Sequence, residues 1–354
     1  MKLLNETIGK IESSSNIWRE KAISRIETLT MPHWALGKAL DIAVDVVGMT
    51  RSMTPPLERR KSLVFGADHG VVEEGVSPMP NAVTMVMMRN FVEKKGAAIN
   101  VLSNQIGAEV VVVNMGIAMA DEISDLIAEG KIIDKSIRRG TANFFKQKAM
   151  SRDDAILSIE AGVEVVNSLA DTTDIFIIGE MGIGNTTPSS AIISAITGLA
   201  PNIVTGKGAG LNDTLRDKKA TIIEKALELH KPDINDGLDL LSCVGGFEIG
   251  AMAGAMLAAA AINKPIMVDG LICTASALIA QLLAPDVVDY MIAGHKSVEP
   301  GHIAAMRHLG KEPLVDLNFR LGEGTGAAIA LPIVSSAVAI MRDMSSFDDL
   351  GISL

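Results

Sequence analysis

The run Arg320-Leu321-Gly322-Glu323-Gly324-Thr325-Gly326 places one carboxylate between glycines in an otherwise apolar neighbourhood. Glycine lets backbone approach a ligand closely and adopt positive φ. A carboxylate held there loses part of its hydration, which raises its pKa toward that of a working general base. The same residues would also make a Gly-rich turn with a solvated Glu323, so the rest of the chain has to decide between the two. A second run, Gly182-Ile183-Gly184-Asn185-Thr186-Thr187, follows an apolar stretch and opens a helix, with Pro188 suited to its first turn. Free backbone N–H groups and the helix dipole favour a phosphate or a ribose there, while N-capping by Asn185 or Thr186 is the structural alternative. A third, Thr205-Gly206-Lys207-Gly208-Ala209-Gly210, precedes Arg216, Lys218 and Lys219 and reads either as a phosphate cradle or as a flexible surface loop. None of these runs is Gly-x-Gly-x-x-Gly and no P-loop lysine follows, so a dinucleotide or ATP site is poorly supported.

Asp68-His69, Asp269 and His295-x3-Glu299-x2-His302 have the residue types of a metal site. They lack the i,i+4 histidine pairing of zinc-binding helices and read as hydrogen-bonding residues, so no metal and no cofactor is expected. Ser77, Ser189 and Ser297 sit outside any Gly-x-Ser-x-Gly, which argues against a hydrolase triad. Met79, Met85, Met87 and Met88 gather in one loop-to-helix segment, either as adaptable core or as a soft apolar pocket for a flat aromatic ligand.

The elements that must position these groups follow from the pattern of the whole chain. With 354 residues, 48% of them apolar, and 32 glycines, the chain can build a sizeable, closely packed core. Aromatics at 3% leave no stacking surface for single strands, and a net charge of −10 disfavours a nucleic-acid partner. The two cysteines, Cys243 and Cys273, have no paired spacing, so reduced thiols in a cytoplasmic protein are expected. The first residues lack a signal-peptide core. The longest apolar runs, 251–263 and 327–341, fall short of the roughly 20 residues that span a bilayer, so no membrane partner is expected and they read as buried or interface helices.

Residues 1–60 read as helical, with Ile11, Trp18, Ala22, Ile26 and Leu29 at helical spacing, and Met53-Thr54-Pro55-Pro56 breaks the pattern. From there strand-like runs at 62–66, 109–115, 174–179, 265–269, 287–293 and 313–317 alternate with helical segments at 155–169, 218–229, 250–262 and 275–283, and a last helix starts near 327. Continuous apolar strands alternating with helices predict an α/β fold, a Rossmann-like parallel sheet with helices on both faces. The expected organisation is a large α/β domain over 61–326 and a small helical domain made from 1–60 and 327–354. The glycines, carboxylates and hydroxyls fall repeatedly at strand ends, where open α/β sheets bind their ligands.

Several of these runs together resemble the nicotinate-nucleotide–dimethylbenzimidazole phosphoribosyltransferase family, which activates the lower-ligand base of cobamides. The matching stretches are Gly66-Ala67-Asp68-His69-Gly70-Val71, Glu74-Gly75-Val76-Ser77, Gly96-Ala97-Ala98-Ile99-Asn100-Val101-Leu102, Gly179 to Pro188, Val244-Gly245-Gly246-Phe247-Glu248-Ile249, Met252-Ala253-Gly254, Asp269-Gly270 and Arg320 to Ala327. The resemblance implies that nicotinate mononucleotide gives up nicotinate while an aromatic base takes the phosphoribosyl group with inversion to the α configuration. It implies Glu323 as general base, Glu180, Gly182 and Asn185 around ribose and phosphate, Gly208 and Lys219 at the phosphate, and Ser297 in an active-site loop. Glu180 would also stabilise positive charge on the ribose. Ser77, Met79, Met87 and Leu321 would face the base.

One departure stands out. The family usually offers a hydroxyl near Ser77 and a glutamine on the helix after Val83-Thr84, whereas the counterparts here are Met79 and Met87. Such a pocket would suit a phenolic base, phenol or p-cresol, as well as a benzimidazole. Family members that use phenols work as heterodimers of two similar chains, so a homodimer and a heterodimer are both expectations. An inactive nucleotide-binding partner subunit is the rival reading, and a metal-dependent hydrolase built on Asp68, His69 and His302 a more distant one.

Overall fold

The computed structural model describes residues 1–352 apart from 209 and 211. The apolar runs become β1 (Arg60–Ala67), β2 (Ala108–Gly116), β3 (Ile132–Asp134), β4 (Ile175–Met181), β5 (Ile266–Val268) and β6 (Met291–Ala293), paired in parallel in the order β3-β2-β1-β4-β5-β6. β1 and β4 are buried along nearly their whole length, which is why they read as unbroken apolar runs. The chain order reverses between β1 and β4, with β2 and β3 on one side and β5 and β6 on the other. At such a switch point the carboxyl ends diverge and leave a crevice.

The helices are α1 (Lys2–Ile8), α2 (Asn16–Glu27), α3 (Lys38–Thr50), α4 (Ala82–Val92), α5 (Ala98–Gln105), α6 (Ser124–Ala128), α7 (Arg152–Leu169), α8 (Thr186–Thr197), α9 (Pro201–Val204), α10 (Asp213–His230), α11 (Gly237–Val244), α12 (Phe247–Ala261), α13 (Leu271–Leu283), α14 (Pro300–Leu309) and α15 (Thr325–Asp343). α12 and α13 lie on one face of the sheet, with α7 stacked behind α12. α4, α5 and the start of α15 cover the other face: Ser62 of β1 shares a hydrogen bond with Ser103 of α5, and Gly66 of the same strand lies under Met88 of α4. Local chemistry fixes where helices begin. Ser151 accepts from the Asp154 N–H at 3.0 Å and returns its own N–H to the Asp154 carboxylate at 3.3 Å, so α7 opens in a capping box.

α15 packs against β4 and β5 on one side and α3 on the other, and α2 packs on α3. α1 lies instead against α7 and α12. Among the described residues α15 is the one helix long and apolar enough to span a membrane, and its burial here is that of a core helix.

Three details differ from the sequence pattern. β3 is an edge strand of only 3 residues between Lys131 and Lys135, too short to carry a period. The run 287–293 is a 3-10 helix, Pro285–Tyr290, before it becomes β6. The run 313–317 is no strand. It lies beside the end of β6, with Val315 N–H donating to Gly294 at 3.2 Å and Lys296 N–H to Val315 at 2.8 Å. Pro313 lacks a donor and Asn318 turns the chain at φ +57°, so the pairing stops after one bridge.

Candidate active site

Glu180 ends β4, Asp269 follows β5, and His295 and Ser297 follow β6, so the register of the parallel strands brings these side chains to one edge. They line a cavity of about 340 Å³ together with Ser77, Met79 and Met87 from the β1 side, Gly182 to Thr186, Gly208, and Arg320 to Glu323. The predicted residues Glu323, Glu180, Gly182, Asn185, Gly208, Ser297, Ser77, Met79, Met87 and Leu321 thus meet around one space. Lys219 lies just behind its wall. Its ammonium donates to Thr186 Oγ1 at 2.6 Å, beside Gly208.

The Glu323 loop is held in a sharp turn. Gly322, Glu323 and Gly324 have φ of +91°, +63° and +90° in succession, a run of left-handed residues that only flanking glycines permit. The turn presses on its neighbours. A Cβ on Gly179 of β4 would overlap the Glu323 carbonyl oxygen, and one on Gly322 would overlap the Glu180 carboxylate. The Glu323 side chain is 6% exposed and accepts a long hydrogen bond, 3.4 Å, from Ile99 N–H in the first turn of α5. Burial raises its pKa, the Ile99 N–H opposes this, and the nearby Asp269 adds to the rise. This is a carboxylate poised to take a proton rather than a solvated turn residue.

Glu180 sits below it, bonded to the Asn185 side-chain amide. Burial pushes its pKa up to about 8; the Asn185 bond opposes the shift, while Glu248 and Asp269 add to it. At the other end of the cavity burial lowers the Lys219 pKa to about 8, with Glu299 restoring part of its charge preference. Lys207 of the Gly-rich loop turns away to Asp213 at 3.1 Å, so the cation of that cradle is Lys219. Ala209 of the same loop lies outside the described residues.

The metal-type residues are used otherwise. His69 and Glu248 form a fully buried pair at 2.8 Å beneath the Gly182 turn. The His302 ring donates through Nε2 to the His295 carbonyl at 3.0 Å, and burial lowers its pKa to about 4. The neutral ring then has Nδ1 free to accept from Thr274 Oγ1, also at 3.0 Å. Among the described residues no three His, Cys, Asp or Glu side chains converge as a metal site.

The methionines divide. Met79 and Met87 line the cavity, Met88 is buried in the core, and Met85 lines a shallow groove elsewhere with Val86 and Arg89. Sequence reasoning named Asp269, His295 and Glu299 as residues of metal-site type and did not place them in this cavity, which all three line.

A sequence profile described as Phosphoribosyltransferase matches residues 11–352. A Syntrophotalea carbinolica protein named nicotinate-nucleotide–dimethylbenzimidazole phosphoribosyltransferase is 48% identical over 353 residues, covering 100% of this chain and 99% of that protein. A Desulfotalea psychrophila protein of the same name is 46% identical over 354 residues, with 100% and 99% covered. The crystal structure of CobT from Thermus thermophilus superimposes with a TM-score of 0.89 at 36% identity, covering 95% of this chain and 99% of that one.

Proposed function

Because the chain belongs to the nicotinate-nucleotide–dimethylbenzimidazole phosphoribosyltransferase family, a family of pentosyltransferases, we propose that it transfers the 5-phosphoribosyl group of nicotinate mononucleotide to an aromatic lower-ligand base with Glu323 as general base. The observation that carries this reading is the desolvated Glu323 facing one cavity with a buried ammonium, Lys219, behind its far wall. The 5′-phosphate belongs at that far end, met by Lys219, Thr186, Gly208 and Ser297. Glu180, Gly182 and Asn185 face the ribose. Ser77, Met79, Met87 and Leu321 enclose the incoming base.

The reaction breaks the bond from ribose C1′ to the pyridinium nitrogen. That electron pair neutralises the ring and releases nicotinate. The nucleophile forms a new bond to C1′ from the opposite face, giving the α configuration, and its proton passes to Glu323. Positive charge spreads over the ribose as the old bond lengthens. Glu180 lies where an anion would offset it. In the free protein its pKa of about 8 leaves it mostly protonated at neutral pH, and a bound cationic pyridinium would draw that proton away. Glu180→Gln is expected to lower kcat by about 10²-fold, the size of losing one preorganised electrostatic group. Turnover equal to the parent protein would remove Glu180 from this role.

Two acceptors fit the arrangement. The names of the relatives favour dimethylbenzimidazole. A less polar acceptor such as phenol or p-cresol is supported by the lining, where Val76, Met79, Val83, Met87 and Leu321 accompany the Ser77 hydroxyl and the Glu323 carboxylate. Competition between dimethylbenzimidazole and phenol, with nicotinate mononucleotide and the chain purified alone, separates them. A benzimidazole α-ribotide is the product of the first reading and a preferred phenolic α-ribotide that of the second. Exclusive benzimidazole product refutes the phenolic reading. No product from either, restored by adding a second related chain, assigns the activity to a heterodimer.

A further inference from the structure

Asp269 directly follows β5 beneath the Glu323 turn and is 1% exposed. Its Oδ2 accepts from Gly324 N–H at 3.2 Å and its Oδ1 from Ala327 N–H at 3.0 Å. These are the free donors at the start of α15. The helix's own cap residue, Gly324, has no side chain to satisfy them. A carboxylate from a neighbouring strand does so instead. Burial raises the Asp269 pKa, while the His295 ring and the backbone N–H donors oppose the rise and favour the anion. His295 Nε2 stands 3.4 Å from Oδ1, and its ring packs where a Cβ on Gly326 would fall, so the cap is closed from behind.

The Gly324 N–H belongs to the peptide immediately after Glu323. Within the turn itself, Thr325 N–H and Oγ1 bond to the Gly322 carbonyl at 3.0 and 2.7 Å and close it on itself. Those bonds fix the shape of the turn but not its place over the sheet. The Asp269 bonds tie it to β5 and so determine where the Glu323 carboxylate stands in the cavity.

We propose that Asp269 is a positioning residue of the transfer reaction, capping α15 from the adjacent strand so that Glu323 reaches the nucleophile, and taking no proton itself. This rests on the reading of Glu323 as the base. The test is a double-mutant cycle of Asp269→Asn with Glu323→Gln, reading kcat and the equilibrium Kd for nicotinate mononucleotide. Asn offers one acceptor where Asp offers two. Asp269→Asn is expected to lower kcat by about tenfold to a hundredfold, the scale of a misplaced catalytic group, with the nucleotide Kd unchanged. In the Glu323→Gln background the same change should add no further loss. Additive losses overturn the inference, as does a parental kcat in Asp269→Asn while Glu323→Gln is impaired, or a Kd that weakens as much as kcat falls. A parental kcat in Glu323→Gln overturns the base assignment itself, and this inference with it. Should the Asn protein fail to fold, Asp269→Ser, which keeps one hydroxyl acceptor, carries the same comparison.

Discussion

Glu323→Gln lowers kcat by about 10²- to 10⁴-fold, the contribution of a positioned general base, while the Kd for nicotinate mononucleotide stays at the parental value. The amide keeps the size and the Ile99 hydrogen bond of the carboxylate but cannot take a proton. In the proposed arrangement the loss falls on turnover, because other residues of the cavity would meet the nucleotide phosphate and ribose. Stability should change little or improve, since burial disfavours the charge that the substitution removes. Rapid-quench measurement of the first turnover, with the Kd taken at equilibrium, separates chemistry from binding.

The pH profile gives a second reading of the same residue. A base works only when ionised, and the Glu323 pKa lies above the ordinary carboxylate value of 4.5. The acid limb of kcat should therefore fall at higher pH than for a solvated glutamate, and should vanish in Glu323→Gln. An acid limb that survives the substitution unchanged assigns it to another group.

What the sequence makes legible is tied to glycine and to strand ends. The Gly182 to Asn185 turn, the Glu323 turn and the end of β1 could be read because glycines mark places where backbone must turn or approach closely. Their convergence followed from the parallel alternation of strands and helices. Lys219 was different. It lies on α10 three, four and seven residues before the buried Ile222, Ile223 and Ala226, so the helical period puts it on the buried face, but that spacing does not say what its ammonium meets there. Its partners Thr186 and Glu299 come from elements over 30 residues earlier and 80 later. The capping role of Asp269 was equally hidden, because its donors sit on a helix more than 50 residues away in sequence. The methionine segment shows a related limit. Met85, Met87 and Met88 are near neighbours in sequence, but the turn of about 100° per residue along α4 sends them to a surface groove, the cavity and the core.

That buried lysine carries the second large effect. Lys219→Met is expected to raise the KM for nicotinate mononucleotide by about 30-fold or more, since truncating one partner of a buried charge pair costs about 2–5 kcal/mol, with kcat at saturation changed far less. Lys219 donates to Thr186 Oγ1 at 2.6 Å beside Gly208 and is fully buried. Burial lowers its pKa from 10.5 to about 8, so the free protein holds the charge at neutral pH and loses it above about pH 8. The parental KM should accordingly rise through that range, and the Met variant should show no such rise. Stability tells the effect apart from unfolding. A lysine whose folded pKa is lowered costs the fold most below about pH 8, and that cost disappears as pH climbs toward 10.5. Replacing it with methionine removes the cost, so the variant should melt no lower than the parent at pH 7. A variant that melts normally and binds the nucleotide as tightly as the parent would place the phosphate away from Lys219. It would then have to lie at the outer rim of the cavity, where Arg320 donates to the Gly208 carbonyl at 3.2 Å.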